Sequence, residues 1–139
     1  GKYAPKKGAD TGTCVPMPEY NCASPATEGT FKLSTSCTLS DEVVLTGELE
    51  IIGQTQDMNN LVTITAAATK RHFYMQSSTD KLTLRHLKLT GADNDDWGGS
   101  IRSAGELNLH SCEVSGTTCA GGAIYTNQNS VLNLFSSVI

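Results

Sequence analysis

From Phe31 onward the chain alternates apolar and polar residues in short runs broken by Gly, Asn, Asp, Ser and Thr. Short alternating runs with turn residues between them are the pattern of many half-buried β-strands. Three runs align: Leu82-Thr83-Leu84, Leu107-Asn108-Leu109 and Leu132-Asn133-Leu134, each displaced by 25 residues from the one before. The next apolar step keeps the register, with Leu87 and Leu89 matching Cys112 and Val114 and then Ser137 and Ile139. Gly91 matches Gly116 in the same way.

A third strand position recurs in each turn. Ser100-Ile101-Arg102 and Ala123-Ile124-Tyr125 each follow a Gly-Gly pair, and Phe73-Tyr74-Met75 takes that place one turn earlier. Gly47-Glu48-Leu49-Glu50-Ile51 echoes Gly105-Glu106-Leu107-Asn108-Leu109, but Leu49 lies 33 residues before Leu82, so a longer loop must intervene. A fixed period with three strands and no helix per repeat predicts a solenoid of the β-helix type rather than a leucine-rich horseshoe. A β-sandwich also uses short strands, but nothing in it would produce a constant recurrence of Leu-x-Leu. The expected fold is therefore all-β, a right-handed parallel β-helix of about four coils of three short strands. Residues 1–30 carry all four prolines and little periodicity, which predicts an irregular N-terminal arm or cap before a β-helix over residues 31–139.

The tract Gly121-Gly122-Ala123-Ile124 with Leu-x-Leu steps around it resembles right-handed β-helix proteins of the pectin-lyase-like class. It also resembles the Gly-Gly-Ala-Ile repeats of polymorphic outer-membrane adhesins, although Phe135 is not followed by the Phe-x-x-Asn step of that pattern. The resemblance covers residues 40–139. It implies a fold shared by lyases, hydrolases, epimerases, adhesins and fibre proteins.

Composition narrows this. Seventeen threonines and thirteen serines with 17% charged residues make a polar, weakly charged surface suited to β-structure. A net charge of −4, with basic residues scattered and not interleaved with aromatics, argues against a nucleic-acid partner. No apolar run approaches the roughly 20 residues of a membrane span. Five cysteines, three of them (Cys14, Cys22 and Cys37) in or near the irregular beginning, predict a disulfide there, with Cys14–Cys22 the first choice because the two are nearest in sequence. That in turn predicts a secreted or extracellular protein, or one of an organelle lumen. Neither a C-x-x-C pair nor an Asn-x-Ser/Thr sequon occurs.

The richest candidate chemistry lies in Gly91-Ala92-Asp93-Asn94-Asp95-Asp96-Trp97-Gly98-Gly99. For β-helix lyases the resemblance implies a carboxylate cluster holding calcium beside an Arg or Lys base. Asp93, Asp95 and Asp96 are the candidate calcium ligands, being oxygen donors. Trp97 is a candidate sugar-stacking residue, with Arg85 or Arg102 beside it. Against this stands the plainer reading, a tight Asp/Asn-rich turn with no cofactor, which is preferred. Arg85 and Lys88 are expected to point outward along one sheet, with Arg85 over His110 and Lys88 over Glu113. Asn108 and Asn133 are expected to form an outward amide ladder, and His72, His86 and His110 to lie on the surface.

No convergent acid, base and metal set emerges, so the leading expectation is a non-catalytic structural or adhesive β-helix component of an extracellular or lumenal assembly. The alternative is a carbohydrate-active β-helix enzyme of lyase or epimerase type acting on acidic polysaccharide. The sequence stops at Ile139 in mid-repeat, with Phe135 and Val138 at outward positions, so other protein chains are expected to cover an open C-terminal coil. A head-to-tail contact of that kind propagates into a filament unless it closes.

Overall fold

The computed structural model describes residues 2–3, 15–119 and 122–139. A short antiparallel pair comes first, β1 (Lys2–Tyr3) with β2 (Val15–Pro16). The first coil is β3 (Gly29–Leu33), β4 (Cys37–Thr38) and β5 (Val43–Val44); the second is β6 (Glu48–Gly53), β7 (Val62–Thr65) and β8 (Phe73–Met75). The third is β9 (Lys81–Arg85), β10 (Leu87–Thr90) and β11 (Ile101–Ser103); the fourth is β12 (Glu106–His110), β13 (Glu113–Val114) and β14 (Ile124–Thr126). β15 (Val131–Phe135) opens a fifth. Among the described residues there is no helix.

Each strand of the coils, β3 to β15, pairs in parallel with the strand one coil away, which makes three sheets. Sheet A contains β3, β6, β9, β12 and β15; sheet B contains β4, β7, β10 and β13; sheet C contains β5, β8, β11 and β14. The chain winds in the right-handed sense that parallel crossovers favour, so the fold is the expected right-handed parallel β-helix. The register is also as expected. Leu82, Leu107 and Leu132 are direct partners, as are Leu84, Leu109 and Leu134. The extra residues between Leu49 and Leu82 form the loop over residues 54–61, between β6 and β7.

Alternation sends Leu49, Ile51, Leu82, Leu84, Leu107 and Leu109 from sheet A into the core, where Ile64, Leu87 and Leu89 meet them from sheet B and Phe73, Met75 and Ile101 from sheet C. Cys112 also faces inward. At the N-terminal end, residues 18–20 run parallel to β3: the Tyr20 amide donates to the Lys32 carbonyl at 2.8 Å and the Lys32 amide to that of Pro18 at 2.9 Å. Tyr20 is thereby buried with its ring edge on Phe31, centroids 5.3 Å apart, and its hydroxyl donates to the Ala26 carbonyl at 2.8 Å.

Three expectations need correction. Arg85 and Lys88 do not share a sheet. His86 between them takes φ +53°, a left-handed corner that swings the chain from sheet A to sheet B. Ser111 and Ser136 repeat that corner one and two coils later, at +52° and +50°. The coil-to-coil stacking itself holds, with Arg85 over His110 and Lys88 over Glu113, the latter pair at 3.3 Å.

His72 is fully buried rather than on the surface. It sits where the chain enters β8, with Nε2 3.0 Å from the Ile64 carbonyl and Nδ1 2.8 Å from Ser100 Oγ. The disulfide is Cys22–Cys37, with Cα atoms 6.1 Å apart, and not Cys14–Cys22. Cys14 lies outside the described residues. The amide ladder forms, Asn133 Nδ2 donating to Asn108 Oδ1 at 2.7 Å, but Asn108 is buried among its neighbours and also donates to Glu106 at 2.8 Å.

Candidate functional site

Strands of sheet C are only two or three residues long, so each of β8, β11 and β14 turns one central side chain outward. Those side chains are Tyr74, Arg102 and Tyr125, stacked in adjacent coils by the register of the sheet. The Arg102 guanidinium carbon lies 5.4 Å from the Tyr74 ring centre and 5.5 Å from that of Tyr125, cation–π distances on both sides.

The Asp-rich loop between β10 and β11 folds back against this column. Asn94 closes it, donating from Nδ2 to the Gly99 carbonyl at 2.8 Å and accepting from the Asp96 amide at 2.9 Å. Gly98 takes φ +74°, and a Cβ there would fall 2.6 Å from the Ile101 carbonyl oxygen, so the loop can approach β11 only with glycine at this point. The turn leaves Trp97 against Tyr125, ring centroids 5.7 Å apart, with 54% of the residue still exposed.

Arg71, buried at 5% exposure, ties the loop to the coil. Its Nε donates to the Gly98 carbonyl at 3.1 Å and its Nη2 to the Trp97 carbonyl at 3.2 Å. Its remaining contacts are with Glu42 and Asp96, both at 3.2 Å, and its guanidinium lies 4.9 Å from the Tyr74 ring centre. Asp96 also takes Arg102 Nη1 at 3.0 Å and the Trp97 amide at 2.7 Å. The Trp97 amide, followed by Arg71 and Arg102, holds the Asp96 carboxyl below the usual carboxylate range.

The loop residues singled out from sequence therefore separate. Asp96, Trp97 and Arg102 come together in one site. Asp93 and Asp95 are exposed on the loop with no ion-pair partner among the described residues. Calcium needs six to eight converging oxygens, whereas Asp96 is already engaged by two guanidinium groups. Among the described residues no three His, Cys, Asp or Glu side chains gather into a group fit for a metal ion. The donor set thus does not fit the calcium that the resemblance implies.

Arg85 belongs to another face. It pairs with Glu50 at 2.8 Å on sheet A, beside a groove of about 410 Å³ lined by Met17, Lys32, Ile52, Gln54 and His86.

Sequence reasoning missed Tyr74, Tyr125 and Arg71 as members of the site. For Tyr74 and Tyr125 the signal was present, since Arg102 and Tyr125 hold the same place in the aligned third strand and Tyr74 the corresponding place before them. Arg71 gave none, because a basic dipeptide such as Lys70-Arg71 reads as solvated surface.

Fold and site together define an all-parallel, three-sheet β-solenoid carrying an aromatic and guanidinium column on one sheet. No family model, no curated protein and no solved structure matches this chain.

Proposed function

We propose that this chain is a non-catalytic, adhesive segment of a β-helix in an extracellular or lumenal assembly, and that it holds carbohydrate on the outer face of sheet C. The observation that carries this reading is Trp97, a half-exposed indole held against Tyr125 at the rim of a rigid column. An exposed, pre-positioned aromatic surface with polar groups around it suits the apolar face of a sugar ring, and little ordering is needed on binding. The Cys22–Cys37 disulfide supports the extracellular or lumenal setting.

Within the β-helix class this reading sides with the adhesins over the pectin-lyase-like enzymes. A lyase of the implied type would use Arg102 as a base. Arg102 instead sits between two tyrosine rings and is paired with the Asp96 carboxylate, so its guanidinium is already engaged within the site. The reading also includes a protein partner at the C-terminal coil, where β15 presents an open edge.

The test is incubation with uronate polymers, with and without calcium, followed by ultraviolet absorbance, and separately retention on insoluble polysaccharides, neutral and acidic. Retention without unsaturated product is expected. Accumulation of unsaturated product would overturn the non-catalytic reading in favour of a carbohydrate-active enzyme.

A further inference from the structure

We infer that the ligand of the sheet C face is an uncharged glycan, selected by ring stacking and hydroxyl hydrogen bonds rather than by charge. This rests on the reading of that face as carbohydrate-binding. An acidic polysaccharide brings a regular row of carboxylates and needs cations free to meet them. Among the described residues, Arg71, Arg102 and Lys70 are each already paired with a carboxylate.

Arg71 is buried between Glu42 and Asp96 and holds the loop carbonyls with its other donors. Arg102 is paired with Asp96 and flanked on both sides by tyrosine. Lys70, further along the same edge, is paired with Asp41 at 3.7 Å. Three cations thus face three carboxylates, and the loop adds Asp93 and Asp95, exposed and without ion-pair partners among the described residues. The balance next to the indole is negative, so a polyanion drawn toward Trp97 is repelled there.

The groups left free have different chemistry. The exposed Trp97 ring, backed by Tyr125, presents π surface that takes the C–H face of a pyranose. Asp93 and Asp95 are acceptors of the kind that bind sugar hydroxyls, by charge-assisted hydrogen bonds to a neutral donor. Buried Arg71 and half-buried Arg102 serve here as struts that aim the loop, and the contact surface is aromatic and carboxylate.

The experiment measures binding of the folded chain to neutral polymers (glucan, mannan, xylan, galactan) and to acidic ones (polygalacturonate, alginate), each at low and high salt. Binding to a neutral polymer is expected, changing by less than about twofold with salt because no net charge is screened. Trp97→Ala should weaken it roughly tenfold or more, as loss of a central aromatic contact does. Trp97→Phe should recover part of that loss, and unchanged thermal melts in both variants would show that the coil is intact. Tighter binding to the acidic polymers, weakening with salt, would overturn the inference while leaving a carbohydrate-binding face in place. Binding to neither class would overturn the reading of the face itself.

Discussion

Leu109 and Leu134 occupy the same inward column one coil apart and differ in what covers them. Leu109 is fully buried between Leu84 and Leu134, whereas Leu134 is 45% exposed. Leu109→Ala should cost about 2 to 5 kcal/mol by denaturant unfolding, as deletions in a closed core do, and Leu134→Ala less than about 2. Equal losses at the two sites would mean that the final coil is covered in solution. His72 makes a second prediction at this scale. Burial pushes it down to about 4 from an ordinary 6.5, against the carbonyls of Ile64 and Thr90, which raise it. The unfolded chain therefore binds the proton more readily than the folded one. Stability on this account is complete above pH 6.5 and falls as pH drops toward 4, by about 3 kcal/mol in all, at roughly 1.4 kcal/mol per pKa unit. A pH series of urea melts checks this, and a His72→Gln variant should lose much of that slope. The leucine columns were legible because a slip of one residue would expose the whole apolar set, so pattern alone fixes register. His72 was not, since alternation gives no direction to a side chain at the corner leading into β8.

At the scale of elements, the corners were the least legible feature. A left-handed backbone is uncommon for residues with a Cβ, so neither His86 nor Ser111 announces a turn, whereas Gly91 and Gly116, both at positive φ, do. Reading through His86 as if it were strand is what merged sheets A and B and placed Arg85 beside Lys88. The same limit affected the candidate site, because the loop's composition was visible while its fold against Arg71 depends on a chain segment one coil, or three strands, earlier. The disulfide shows the point in reverse. Nearness along the chain favoured Cys14–Cys22, but the rung that ties residues 18–20 to β3 brings Cys22 to the start of sheet B, where Cys37 stands. With the two cysteines 15 positions apart in sequence, closing this loop should contribute about 3 kcal/mol by restricting the unfolded chain. A Cys22→Ser, Cys37→Ser double variant should therefore unfold at lower denaturant, measured against the oxidised parent. An unchanged midpoint would show that the rung and the buried Tyr20 hold this end without the covalent link.

Across the whole molecule the two ends of the solenoid differ. At the N-terminal end residues 18–20 pair with β3, and Tyr20, Cys22 and Leu33 close over the core. At the other end Val131, Leu132, Leu134, Phe135, Val138 and Ile139 are all exposed, and β15 has a strand partner on one side only. Stacked apolar rungs and an unpaired strand edge together recruit further strands unless something covers them. A head-to-tail filament would require the opposite end to be equally open, and the Tyr20 segment occupies it. For residues 1–139 taken by themselves, a contact of this end with its own copy is a two-fold arrangement that buries the same patch on both and closes at a dimer. Produced alone, this chain should associate reversibly with concentration in sedimentation equilibrium and stop at two copies. Leu134→Lys, which sets a charge on the exposed column, should shift the equilibrium to monomer, while Trp97→Ala in the loop beside sheet C should leave it unchanged. Growth beyond two copies would show that the Tyr20 segment yields its place and that the rods extend head to tail. A monomer at all accessible concentrations would overturn the end-to-end contact.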